Sequence, residues 1–265
     1  MRPVPRPSWQ VNYPRIIPDV IMSIQNHPMG VEPTLQSIPQ VNQAMLKGQP
    51  LSAAIQDMQE TGFQHWGFVI YRCAYANNAQ WESYLEFLKA TMQDELEFDG
   101  LYTLLWKYLD WTVIEDPDKL DGASKQDIRE RFSEWSAGRS VERDGSGVDA
   151  PTVEDAPRFH YCIYIDQKCL DTVDEYQSWA EAGGKDRLKV VVCAILDKDC
   201  KPKGRGRGGF PSVEGCTRED TGWMYTDVAS ITSIYNRLSY QELADNDYSR
   251  PPAIWPTIDV MPAEP

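Results

Sequence analysis

The chain has 265 residues, 42% of them apolar, nine tryptophans and a formal charge of −14. Such length and apolar content fit one large domain or two small ones with a sizeable core, and exclude a disordered chain. The acidic balance disfavours nucleic acid and anionic membranes as partners, since their phosphates would be repelled.

Residues 1–60 are studded with proline (Pro3, Pro5, Pro7, Pro14, Pro18, Pro28, Pro33, Pro39, Pro50). Proline fixes φ and removes a donor, so an extended N-terminal arm is expected, ending in a short helix near Leu51–Glu60 that Ser52 would cap. A single α+β domain is expected over 61–245, and residues 246–265 read as a C-terminal strap. The stretch Phe68–Tyr75 (FVIYRCAY) predicts a first strand. Trp81, Tyr84, Leu85, Leu88 and Met92 recur at helical spacing, so Gln80–Leu96 is a helix with one apolar face. Leu101–Leu109 reads as a second helical piece and Asp110–Asp116 (DWTVIED) as a strand. Ser124 followed by Asp127 resembles a capping box, and Ile128, Phe132 and Trp135 give the helix behind it a buried side. Residues 137–157 lack periodicity and predict a long surface loop dividing two halves. The second half repeats the plan: strand Phe159–Asp166, a helix ended by Gly183–Gly184, and the apolar strand Lys189–Leu196. A loop over 197–221 and a helix over 227–238 follow.

These elements predict an α+β fold. Two β-α-β units would form a ferredoxin-like, mainly antiparallel sheet with helices on one face. A doubly wound parallel sheet is the alternative.

Chemistry-bearing patterns are sparse. Gly204, Gly206 and Gly209 match G-x-G-x-x-G, but a polar spacer precedes them and Phe210–Pro211 follows, so the strand–turn–helix context of a dinucleotide site is missing. The same segment carries Arg205 and Arg207, which would suit an anionic ligand. Six cysteines show no C-x-x-C spacing and three histidines no HxH pattern, so neither a metal nor a cofactor is expected. The MRPVPRPSWQVNYPR terminus has no apolar stretch of a secretory signal and no run approaches the roughly 18 apolar residues of a membrane span. A cytoplasmic protein with reduced thiols is expected.

Strand alternation over 158–166 would put His160, Tyr164 and Asp166 on one face. His160 is then a candidate general base, with Asp166, Glu115 or Asp116 as carboxylate partner. Arg72, inside an apolar strand, must be paired or functional. It is expected either to pair with Glu115 or Asp116 or, with Tyr164, to hold a polar ligand. No hydrolase elbow, Walker loop or kinase signature is present.

The phrases GFVIYRCAY (Gly67–Tyr75), DWTVIEDPDKLDGASKQDIRERF (Asp110–Phe132), RFHYCIYIDQKCLDTV (Arg158–Val173) and DTGWMYTDV (Asp220–Val228) resemble a family of proteins from filamentous fungi that has no assigned chemistry. The resemblance spans about residues 65–240 and implies an intracellular α+β body without supplying any residue role. The functional expectation is a non-catalytic protein that binds a partner protein or small ligand through an open sheet face and long loops. The alternative is a cofactor-independent isomerase, cyclase or lyase using His160.

Overall fold

The computed structural model describes residues 19–28, 30–41, 50–200, 209–245, 248–257 and 259–261. Helices α1 (Asp19–Gln25) and α2 (Ser52–Thr61) precede strand β1 (Val69–Arg72). Helix α3 (Asn78–Phe98) and the short α4 (Tyr102–Leu105) lead to β2 (Val113–Ile114). Then come α5 (Pro117–Leu120), α6 (Lys125–Ala137), α7 (Val141–Asp144) and α8 (Pro157–His160), before β3 (Tyr161–Ile165). Helix α9 (Gln167–Glu181), β4 (Val192–Asp197), β5 (Trp223–Asp227), α10 (Ile231–Leu238) and β6 (Ile254–Trp255) complete the order. None of the described helices is long and apolar enough to cross a membrane.

The α+β class holds, but the sheet is mixed rather than mainly antiparallel. Its order is β2-β1-β3-β4-β5-β6, which is not that of a simple ferredoxin-like plan. Three of its five pairings are parallel (β1 with β2, β1 with β3, β5 with β6) and two antiparallel (β3 with β4, β4 with β5). The expected antiparallel sheet fails because α3 and α6 return the chain parallel to its starting strand, on either side of β1.

Helices also cover both faces, not one. On one face Tyr71 meets Phe132 of α6 edge-on, and Lys125 of α6 lies over the Tyr164 and Trp223 rings. On the other, Phe68 packs edge-on against Tyr235 of α10. There Tyr84 Oη of α3 donates to the Val192 carbonyl and Thr172 Oγ1 of α9 accepts from the Val192 amide. The strands β1, β3 and β5 are buried throughout, and β4 is buried up to its last residue. No open sheet face remains among the described strands of the centre, so ligands must approach at strand ends or loops.

The described parts of the two tails join the main core: Val20, Leu35, Ile38 and Val41 from the arm, Ile254 and Met261 from the strap. Ser52 does not cap α2; Leu51 holds the N-cap position, and Asn236 Oδ1 of α10 accepts from the Ala53 amide instead. The 137–157 stretch is not a bare loop. Val148 and Val153 form a second small core with Phe63 and Phe159. Gly147 makes this possible: its φ is +88°, and a Cβ there would sit 2.4 Å from the Phe63 nitrogen.

The capping box at α6 is present as expected. Ser124 Oγ accepts from the Asp127 amide and the Asp127 carboxylate accepts from the Ser124 amide. Ser124→Ala is expected to lower stability by about 1 kcal/mol. Urea denaturation measures it, and an unchanged midpoint refutes it.

Candidate functional site

Two polar clusters sit at opposite ends of the sheet. At the carboxyl ends of β1 and β2, Arg72 is 6% exposed. Its Nε donates to the Ala74 carbonyl (2.9 Å), Nη1 to Glu115 Oε1 (3.1 Å) and Nη2 to Asn78 Oδ1. The guanidinium lies 4.3 Å from the Tyr75 ring centroid and 5.1 Å from that of Trp81. Of the two expectations for Arg72, the structure displays pairing with Glu115. Asp116 turns away to Lys119 (2.7 Å), which holds its carboxyl below the usual range. Asp166 is occupied as N-cap of α9, accepting from the Cys169 amide at 3.0 Å. Tyr164 Oη donates to the Ala123 carbonyl beneath Lys125, apart from Arg72's partners.

His160 lies at the other end. Pro157 opens a helical turn that runs through His160, so the strand begins at Tyr161. The six steps from His160 to Asp166, at about 3.3 Å each, separate them by about 20 Å. The expected His160–Asp166 pairing is therefore not made, and Glu115 lies at the far end with Asp166. Arg205 and Arg207 lie outside the described residues.

What His160 meets instead comes from β4. Tyr161 pairs with Asp197 across the antiparallel β3–β4 register, which brings the Asp197-Lys198-Asp199 segment beside the imidazole. His160 Nε2 is 3.4 Å from Asp197 Oδ1, and Nδ1 is 3.6 Å from Asp199 Oδ2. The side chains are 27%, 21% and 62% exposed for His160, Asp197 and Asp199. The Asp199 amide donates to Asp197 Oδ1 at 2.8 Å, and Lys198 Nζ reaches inward to the Phe159 carbonyl. One potential ligand atom from each of the three residues falls within 4.8 Å of the other two. Metal ligands at about 2.0–2.2 Å imply separations of about 3–4 Å between them, so small side-chain rotations would close the set.

No protein-family model, curated protein or solved structure matches this chain.

A third polar feature is internal. Asp57, Thr61, His65, Thr152 and Tyr235 share the lining of a cavity of about 30 Å³ with Phe63, Trp66 and other apolar residues, between α2, the 152–156 turn and α10. Burial first, and then the Glu60 carboxylate, push the Asp57 carboxyl up to about 6. The buried thiols of Cys73, Cys162, Cys169 and Cys193 are all pushed upward by burial, which suits packing rather than nucleophilic chemistry.

Sequence reasoning missed Asp197 and Asp199. Their signal is a D-x-D step at the end of an apolar strand, visible in LDKD but meaningless until the strand pairing brings His160 across.

Proposed function

We propose that the protein is a non-catalytic binding protein whose ligand is a first-row divalent cation held by His160, Asp197 and Asp199. The observation that carries this reading is that one ligand atom from each of the three residues falls within 4.8 Å of the other two. One nitrogen and two carboxylate oxygens suit Mn²⁺ or Zn²⁺, and three protein ligands leave coordination positions for a small ligand or a partner's side chain. The enzyme reading, with His160 as a base, has less support: Asp166 and Glu115, its expected carboxylate partners, lie at the far end of the sheet. Membership of the fungal family and a cytoplasmic location belong to the same proposal and add no residue role.

Calorimetric titration with MnCl₂ and ZnCl₂ tests it. Wild type is expected to bind one equivalent, and His160→Ala or Asp197→Asn to weaken binding at least ~10-fold. Asp166→Asn and Glu115→Gln, at the other end of the sheet, are expected to leave it unchanged. No saturable heat with either metal, or equal affinity in Asp197→Asn, rejects the proposal.

A further inference from the structure

The cavity beneath α2 combines features that the cation cluster lacks. It is partly enclosed and its lining brings a carboxylate, Asp57, together with the rings of Phe63, Trp66 and Tyr235. Trp66 and Tyr235 meet edge-on with centroids 5.5 Å apart, and the Trp66 indole is fixed by donating to the Leu105 carbonyl at 3.0 Å. Two hydroxyl-bearing residues, Thr61 and Thr152, belong to the same wall. A volume of about 30 Å³ exceeds the space one water needs and leaves room for a group of a few heavy atoms.

No lysine or arginine among the described residues forms an ion pair with Asp57. Burial and Glu60 both act to raise its pKa, to about 6, and no lowering influence offsets them. At neutral pH the carboxyl is still mostly ionised, so the folded chain holds a half-buried anion beside three aromatic rings. A carboxylate and aromatic rings around a small space are the chemistry that recognises an ammonium group: the carboxylate accepts its N–H bonds and the rings attract its charge. The Thr61 hydroxyl is already engaged, donating to the Asp57 carbonyl and accepting from the Phe63 amide.

We propose that this cavity binds a small ammonium head group, either a free primary amine or the end of a lysine side chain. The site is separate from the His160 cluster, since it is lined by α2, residues 63–66, the 152–156 turn and α10, and by none of His160, Asp197 and Asp199.

The test is an NMR titration that follows the Trp66 indole N–H of the full chain at pH 7.5. The probes are methylammonium chloride and N-acetyl-lysine amide, with potassium chloride at matched ionic strength as reference. Wild type is expected to show a saturable shift with methylammonium. Saturation by methylammonium alone assigns a free amine, and saturation by both probes assigns a lysine end. Asp57→Asn is expected to weaken binding at least tenfold. Phe63→Leu removes a ring from the small core shared with Val148, Val153 and Phe159; with its urea midpoint compared against wild type, it is expected to weaken binding several-fold and reads the site even if Asp57→Asn is poorly folded. Absence of saturation with both probes, an equal response to potassium, or undiminished binding in Phe63→Leu and Asp57→Asn overturns the proposal. Failure of metal binding at His160 leaves this result untouched, because the probes and variants differ.

Discussion

Arg72→Ala is expected to destabilise the fold by about 3–5 kcal/mol, whereas Glu115→Gln should change it by less than ~1 kcal/mol. The asymmetry follows from burial. The Arg72 side chain is 7% exposed, while the Glu115 side chain is 46% exposed. Water screens the Glu115 charge, so the ion pair itself contributes little. Removing the guanidinium does more. It leaves the Ala74 carbonyl and the Asn78 amide oxygen without their donor, and it empties the space between the Tyr75 and Trp81 rings. Asn78 opens α3, so the loss would also loosen the junction between β1 and the helix that covers it. Urea denaturation at pH 7 measures both variants. If Arg72→Ala stays within 1 kcal/mol of wild type, the residue is not a structural post, and its reading as a ligand-binding arginine returns.

That contrast shows where the sequence was readable. The apolar stripe from Trp81 to Met92 announced α3, and Ser124 with Asp127 announced α6, because both signals are local. The aromatic and β-branched runs around Val69, Ile163 and Val192 announced three strands. Which strands pair was not local. Nothing near residue 125 says that α6 crosses to the face opposite α3, yet that crossing puts β1 between β2 and β3. Strand β5 was not assigned at all: Trp223–Asp227 lies between a polar loop and a helix and is too short to show its own period.

The site was half legible for the same reason. His160 stood out because histidines are few. The expected partner fails because residues on one strand face need not be near each other: six strand steps, about 20 Å, separate His160 from Asp166. Pro157 occupies the first position of a helical turn, where its fixed φ is suited, and alternation begins only at Tyr161. The true neighbours, Asp197 and Asp199, are fixed by antiparallel register with a strand more than 30 residues away.

Asp227→Asn is expected to stabilise the protein by about 2–3 kcal/mol at pH 8 and by much less at pH 4. Asp227 ends β5, is 4% exposed, and accepts from the Ala229 amide at 3.0 Å. Burial, assisted by Asp259, pushes its carboxyl from 3.8 up to about 6 against that hydrogen bond. A raised folded-state pKa means that the native chain holds the proton more tightly than the unfolded chain. Below about pH 3.8 both states are protonated and there is no penalty. Between there and about pH 6 the unfolded state ionises first and stability falls. Above about pH 6 the full cost is present, near 1.4 kcal/mol per pKa unit. Asparagine keeps a neutral oxygen for the Ala229 amide and cannot ionise, so it removes the cost and retains most of the cap. The Asp57 carboxyl also titrates near 6, but it is common to both proteins and cancels in their difference. Thermal melts of wild type and variant from pH 4 to pH 8 measure that difference. It should widen by several degrees as pH rises; curves that stay parallel would mean that Asp227 is solvated in the folded state, and that the end of β5 is looser than its packing implies.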